Sequence, residues 1–127
     1  MSQTTETQTP TLFERLGGAE QIAAISSDVV ERHLVNPKIK EHFEKVEDVP
    51  ALKKHVTEFF IMGSGGPANY QGRDMPSAHK DMDIDEGELI AAIDDVLASL
   101  DSFDIDTVTR NEVLAILYSL KDEVMFK

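Results

Sequence analysis

The chain has 127 residues, of which 41% are hydrophobic, and a formal net charge of −12 at pH 7. This length and apolar content suit one folded domain, which we expect at residues 11–127 after a disordered polar tail at residues 1–10. The acidic balance disfavours nucleic acid and anionic membranes as partners, and the lack of cysteine excludes disulfides, thiol nucleophiles, iron–sulfur ligation and c-type haem attachment. Since neither an apolar signal segment nor an apolar run of membrane-spanning length is visible, we expect a cytoplasmic protein.

Start and stop signals in the first part of the domain predict helices separated by tight breaks. Thr11 and Glu14 have the spacing of a capping box, and Gly17-Gly18 ends the short helix that they begin. Apolar residues at helical spacing then predict a longer helix up to the break at Asn36-Pro37. The proline suits the first turn of a short helix that ends near Phe43.

The middle of the domain has further start and stop signals for helices. Asp48 with Pro50 predicts the start of a helix, which the Gly63–Gly66 stretch ends. A loop at residues 67–74 follows. Asp85 with Glu88 then gives a second capping box, which predicts the start of a long helix.

The last helix is predicted to begin after Asp106 and to keep its apolar residues inward as far as Val124. Because no stretch alternates apolar and polar residues, we predict an all-α fold. The glycine-rich breaks and the central loop are not typical of a plain up-and-down bundle.

Charge is distributed unevenly along the chain. The stretch from Arg32 to Lys80 has eight basic and six acidic residues, a net charge of +2, whereas the stretch from Asp81 to Asp106 has ten acidic residues and no basic one. Either the acidic stretch is simply a solvated face, or an anionic ligand lies beside residues 32–80.

Among the four histidines, His79 is the strongest candidate for a metal ligand. A single histidine on an apolar face is more often a packing residue, but His79 shares a helical face with Met75 and Met82. Apolar walls, one imidazole and nearby cations are what a haem requires, because the iron needs an axial base, the macrocycle a dry slot and the propionates positive partners. We expect that some of four donors hold the propionates, namely Lys53, Lys54, Tyr70 and Arg73.

The other histidines are less distinctive. On a helical wheel, His55 lies about 40° from Phe59 and about 60° from Leu52, so it could lean inward or outward from the flank of the apolar stripe. We interpret His33 as a helix-packing residue and assign no role to His42.

Several motifs then follow one another in a recognisable order. Phe-Glu-Arg-Leu-Gly-Gly-Ala stands at residues 13–19, and Leu-Val-Asn-Pro at residues 34–37 precedes Phe43. Further along the chain come Phe59-Phe60, Gly65-Gly66-Pro67, Tyr70, Gly72, Met75 and His79. In this order the motifs resemble the truncated haemoglobin family, group I, from Leu12 to about Met125. The resemblance implies a two-over-two helical sandwich, a shortened globin, with one haem b between the helix of residues 50–63 and the helix that begins at residue 85.

The resemblance also implies roles for individual residues. His79 matches the proximal iron ligand, and Phe43 matches the phenylalanine that packs on the haem. His55 matches a position from which some cyanobacterial members bind the iron on the distal side. Because the connection between Phe43 and Phe59 is one residue longer than in some relatives, an alignment shifted by one residue would instead place His55 where the family usually has glutamine. The apolar residues expected to line the pocket are Val30, Leu52, Val56, Phe60, Met75, Met82 and Leu89.

The distal side departs from the family pattern. The family usually has tyrosine at the position of Val30, and it commonly has glutamine at that of Leu52 or Val56. These polar groups donate hydrogen bonds to bound oxygen, so the resemblance implies reversible binding of oxygen, carbon monoxide or nitric oxide without tight retention of oxygen. We expect His55 to coordinate the iron in the ligand-free state.

Two alternative functions stay open, together with the identity of the partners. The first alternative is a haem enzyme, either a nitric oxide dioxygenase or a peroxidase-like protein, and the second is a helical interaction module without a cofactor. As partners we expect small diatomic gases and an unidentified reductase, and we expect a monomer.

Overall fold

The computed structural model describes residues 10–67, 75, 79–80 and 82–126. Within these residues the β structure is limited to an isolated parallel bridge between Ile84 and Met125, so the all-α prediction is confirmed. None of the described helices is long and apolar enough to cross a membrane. The helices are α1 (Leu12–Arg15), α2 (Gly18–Val35), a 3-10 helix (Lys40–Phe43), α3 (Val49–Gly63), α4 (Glu86–Ser102), α5 (Thr107–Ser119) and α6 (Lys121–Val124).

The predicted caps are present at the starts of α1, α4 and α5. Thr11 and Glu14 exchange backbone-to-side-chain hydrogen bonds of 2.9 and 3.1 Å, and Asp85 and Glu88 form the same reciprocal pair at 3.1 and 2.8 Å. The carboxylate of Asp106 accepts a hydrogen bond from a backbone N–H of the first turn of α5 at 3.1 Å. Each cap satisfies amide groups that a helix otherwise leaves without a partner, which is why the helices begin there.

The short helix after α2 begins later than predicted. It starts at Lys40 rather than Pro37 and is a 3-10 helix. The cause is a turn centred on Asn36, whose side-chain oxygen accepts a hydrogen bond from the N–H of Lys38 at 3.0 Å. The carbonyl of Asn36 also accepts from the N–H groups of Ile39 and Lys40, so the turn uses the residues expected to form the first helical turn.

The prediction of one unbroken last helix is wrong. α5 ends at Ser119, and α6 begins at Lys121. At the junction the backbone bonds close tighter rings, because the N–H of Leu120 donates to the carbonyl of Leu117 at 3.1 Å and the N–H of Glu123 donates to the carbonyl of Leu120 at 2.9 Å.

The glycine stretch after α3 both ends that helix and packs α1 against it. Gly65 has a φ of 92°, which favours glycine. The N–H of Gly66 donates to the carbonyl of Ile61 at 2.8 Å, and a Cβ at Gly66 would lie 2.3 Å from the ring of Phe13. In addition, the N–H of Phe13 donates to the carbonyl of Ser64 at 3.0 Å. The C-terminal end of α3 is therefore fixed to α1.

The long helices form two layers. α2 packs along α3, α4 packs against α5, and α2 also packs on α4 and on the 3-10 helix. The residues of the main core between these helices are Leu12, Leu16, Ile22, Ile25, Val29, Ile61, Val96, Leu100 and Val113. A second, smaller cluster contains Ile84, Leu89, Ile93 and Val124. This arrangement confirms the two-over-two architecture and leaves part of the apolar face of α3 outside both clusters.

Candidate functional site

The ring of His79 is oriented by a hydrogen bond to the backbone. Its Nδ1 lies 2.8 Å from the backbone carbonyl oxygen of Met75, and the ring is half-buried. A carbonyl can only accept a hydrogen bond, so Nδ1 carries the proton and donates it. In the neutral ring this leaves the Nε2 lone pair available to a metal, which is the way in which metal-binding histidines are commonly oriented.

Met75, Met82 and Leu89, which were predicted to line the pocket, differ in burial. Met75 and Met82 are half-buried, whereas Leu89 is 7% exposed and belongs to the second core cluster. Met82 packs against the same cluster. The second cluster therefore packs at the start of α4 and includes residues close in sequence to His79.

The face of α3 that was predicted to be distal has apolar side chains that the core does not fully bury. Asp48 caps the helix through the N–H of Ala51 at 3.0 Å. Leu52 and Val56 are half-buried and belong to neither core cluster among the described residues, whereas Phe60 packs against the main cluster. A flat apolar partner placed on this face would remove further apolar surface from water, so the residues present fit a haem.

Val30 and His55, the other predicted distal residues, lie on the paired helices α2 and α3. Val30 is 1% exposed and His55 is half-buried. Val30 is thus a buried apolar side chain of α2, and α3 carries the imidazole of His55 in the same segment as Leu52 and Val56.

Phe43, at the end of the 3-10 helix, is packed by a histidine that was assigned only a packing role. The rings of His33 and Phe43 are stacked, with their centroids 5.6 Å apart. His33 Nδ1 lies 2.8 Å from Asp95 Oδ2 on α4, and the side-chain N–H of Asn36 donates to the same oxygen at 3.0 Å. Burial lowers the pKa of His33, although the hydrogen bond and the charge of Asp95 oppose the shift. The ring is therefore neutral at pH 7 and donates through Nδ1.

A second pair of the same kind lies beside Phe43. His42 Nε2 is 2.8 Å from Glu88 Oε2, and both side chains are about three-quarters or more buried. The sequence analysis gave His42 no role and missed both carboxylates. A usable signal was the spacing of Glu88, Asp95 and Ser99, which places polar side chains at i, i+7 and i+11 on one side of α4.

Of the four donors predicted to hold the propionates, the structure describes two, Lys53 and Lys54. Lys53 Nζ lies 2.6 Å from Glu31 Oε2, so a propionate would compete with that carboxylate for the ammonium group. Lys54 is exposed. Tyr70 and Arg73 lie outside the described residues.

Two small cavities in the described part of the chain do not account for a cofactor. Two apolar cavities of about 30 and 10 Å³ share Leu16, Phe60 and Val113 as lining residues. Both are of the size of a single water molecule or smaller. Neither cavity has Leu52, Val56 or His79 among its lining residues.

Comparisons with known proteins show similarity over the whole domain. A family model described as bacterial-like globin matches residues 11–126. The chain is 28% identical over 117 residues to a group 1 truncated haemoglobin of Tetrahymena pyriformis, which covers 92% of this chain and 96% of that protein. It is 31% identical over 110 residues to the group 1 truncated haemoglobin GlbN of Synechocystis sp., with 84% and 88% of the two chains covered.

The structural comparison agrees with the sequence matches. The crystal structure of the truncated haemoglobin of Tetrahymena pyriformis in its Fe(III) form matches with a TM-score of 0.88 and 26% identity. The match covers 92% of this chain and 99% of the other. The similarity therefore extends over most of the domain.

Proposed function

Because the chain belongs to the bacterial-like globins, and within them to the group 1 truncated haemoglobins, we propose that it holds one haem b on His79 and reversibly binds oxygen, carbon monoxide or nitric oxide. Globins of this family bind haem, and the bound iron supplies the site for a diatomic ligand. The observation that carries the proposal is the 2.8 Å hydrogen bond from His79 Nδ1 to the carbonyl of Met75, which leaves Nε2 for the iron.

The remaining described pocket residues would supply an apolar lining. Aliphatic or aromatic contacts to the ring would come from Leu52 and Val56 on α3, from Val30 on α2 and from Phe43 at the end of the 3-10 helix. Because these side chains donate no hydrogen bond, they would stabilise bound oxygen less than polar groups do. This composition favours reversible binding over tight retention.

We propose His55 as the second axial ligand when no gas is bound. Its neutral imidazole is a good iron ligand, and it shares α3 with Leu52 and Val56. The helix would have to tilt at its N-terminal end, because its C-terminal end is fixed through Gly66 and Phe13. The Asp48 cap and the pair between Lys53 and Glu31 are the contacts that such a tilt would strain.

The His55 proposal is tested by absorption spectra of the ferrous protein without added ligand. We expect a six-coordinate low-spin spectrum for the wild type and a five-coordinate high-spin spectrum for His55→Ala. Carbon monoxide binding to the wild type should saturate at the rate of His55 dissociation. A wild-type protein that is already five-coordinate would refute the role of His55 and leave the role of His79 intact.

The haem proposal itself is tested by titration of the haem-free protein with hemin. We expect His79→Ala to lose the tight uptake and the normal Soret band, whereas Lys80→Ala, a change at the exposed neighbouring residue, should keep both. Equal spectra for the wild type and His79→Ala would refute the assignment of the ligand.

The expected polar contacts and partners complete the proposal. Lys53, Lys54, Tyr70 and Arg73 are proposed to hold the propionates, and an unidentified reductase is proposed to supply electrons to a monomeric cytoplasmic protein. Removal of two or three of these donors together should speed haem loss to an acceptor protein. An enzymatic role in nitric oxide or peroxide removal would draw on His55 as the distal polar group.

A further inference from the structure

Two carboxylates of α4 bind histidines that adjoin Phe43. Glu88 and Asp95 are seven residues apart and therefore lie on the same side of the helix. Asp95 Oδ2 is 2.8 Å from His33 Nδ1, and Glu88 Oε2 is 2.8 Å from His42 Nε2. His33 stacks on the ring of Phe43, and His42 precedes Phe43 in the chain. The two carboxylates of α4 therefore bind the two histidines that adjoin Phe43, the phenylalanine proposed to pack on the haem. His33 contacts its ring, and His42 is joined to it by a peptide bond.

Asp95 binds two side chains that precede Phe43 in the chain. Its Oδ2 also accepts a hydrogen bond from the side-chain N–H of Asn36 at 3.0 Å, so one oxygen holds both the last turn of α2 and the turn after it. The side chains of His33 and Asp95 are 14% and 15% exposed. Hydrogen bonds to a charged group that is largely shielded from water are stronger and more directional than those at an open surface.

The ring of Phe43 is restrained on one face. His33 covers that face at 5.6 Å between centroids with an angle of 24° between the rings, and Phe43 as a whole is half-buried. The opposite face is the one that a flat cofactor could contact. The position of that face depends on where His33 is held, and His33 is held by Asp95.

We propose that Asp95, through His33, and Glu88, through His42, are positioning residues that fix Phe43 against the haem. The proposal rests on the proposed haem binding. It assigns to α4 a control over haem retention that is separate from the iron ligands, because neither carboxylate belongs to the expected ligand set. Removal of the Asp95 carboxylate leaves the N–H groups of His33 and Asn36 without their acceptor and releases the stacked ring.

The test compares Asp95→Ala with Asp94→Ala, the matched change at the adjacent exposed carboxylate of the same helix. Two quantities are measured on the haem-loaded protein: the rate of haem loss to an excess of apomyoglobin, and the NMR shifts of the Phe43 ring protons in the carbon monoxide complex. We expect Asp95→Ala to lose haem about tenfold faster and to shift the Phe43 resonances. Loss of a hydrogen bond to a charged group typically changes a binding constant by about tenfold or more. Asp94→Ala should match the wild type in both.

Two further variants separate positioning from general stability. His33→Phe keeps a stacked ring and loses the donor, so its haem loss should lie between those of the wild type and Asp95→Ala. Asp95→Asn keeps an acceptor oxygen in the same place and should show most of the wild-type retention. If Asp95→Ala does not fold, His33→Phe provides the test, because a wild-type rate of haem loss in that variant would refute the positioning role.

The outcomes that overturn the proposal are distinct from failure of the haem proposal. If Asp95→Ala unfolds more easily but keeps the wild-type rate of haem loss and the wild-type Phe43 shifts, Asp95 is merely structural and the positioning role is refuted. In that case hemin uptake that depends on His79 would still stand. If the wild-type protein takes up no hemin, the proposed function fails and the positioning role fails with it.

Discussion

The close approach of Gly66 to Phe13 allows a sharp prediction about the glycine stretch after α3. In a Gly66→Ala variant, the new Cβ would lie 2.3 and 2.5 Å from two ring carbons of Phe13 and 2.9 Å from a methyl carbon of Ile61. Favourable carbon–carbon contacts are found at roughly 3.5–4.0 Å, so the ring must move by about 1 Å or more. Phe13 packs against the main core, and its backbone N–H is bonded to Ser64, so little free space is available for that movement.

The expected magnitude follows from overpacking of a filled site. Inserting a methyl group into such a site costs about 1–3 kcal/mol. Gly63 provides the matched control, because it is the last residue of α3 and a Cβ there would have nothing within 4 Å. Gly63→Ala should stabilise the protein by roughly 0.4–1 kcal/mol, since alanine restricts the unfolded chain and suits a helix.

The assay is urea unfolding of the haem-free protein, followed by far-ultraviolet circular dichroism. We expect a lower midpoint for Gly66→Ala and a slightly higher midpoint for Gly63→Ala, with similar slopes. Equal midpoints for the two variants would show that the Phe13 contact does not constrain residue 66, and the explanation of the glycine stretch would then be wrong.

Three further predictions concern caps and titrating groups. Asp106→Ala should lower the unfolding free energy by about 1 kcal/mol in thermal or urea unfolding, because α5 loses its N-cap. Hydrogen bonds from Ser99 and Arg32 hold the pKa of Asp28 below 3.8. Its ionised form therefore stabilises the fold above pH 3.8, and this stabilisation is lost as the pH falls further. Asp28→Asn should show a shallower loss of stability in acid than the wild type. Burial holds the pKa of His33 below 6.5, so the unfolded chain binds a proton first as the pH falls. The unfolding free energy therefore falls as the pH drops below 6.5. His33→Phe should remove this pH dependence of the unfolding free energy, and an unchanged dependence would contradict the neutral state assigned to the ring.

The helices that were predicted well are those whose limits are set by local chemistry. Thr11 with Glu14 and Asp85 with Glu88 satisfy backbone amides within one turn, so their spacing in the sequence contains the whole interaction. The break at Leu120 has no comparable local signal. Its apolar neighbours continue the helical spacing, and the tighter backbone ring that divides the helix is seen only in the coordinates.

The sequence could single out one candidate residue, but it could not predict which side chains form pairs. His79 was identified by its apolar face and by the family motifs, although its bond to the carbonyl of Met75 was not. The pair of His33 and Asp95 joins residues 62 positions apart, and Asp95 is one of ten acidic residues between residues 81 and 106. Charge counting cannot tell which of these carboxylates faces inward, because that depends on the packing of α4 on α2.

Lys53 fits a pattern in the sequence and has a further partner that the sequence does not reveal. Its place in the basic stretch predicted a contact with a propionate, but its ammonium lies 2.6 Å from Glu31 Oε2. An exposed pair of this kind is worth only about 0–1 kcal/mol, so a propionate could still displace the carboxylate. The contact with the haem stays a prediction for this residue.

The most direct test of the central claim, that His79 holds the haem through Nε2, is rescue of a His79→Gly variant with free imidazole. Removal of the side chain leaves a space in which imidazole can take the place of the missing ligand. We predict that His79→Gly takes up hemin weakly with an altered Soret band, and that imidazole at millimolar concentration restores the position of the band in the wild-type protein. A His79→Gly protein that shows the wild-type spectrum without imidazole would contradict the claim.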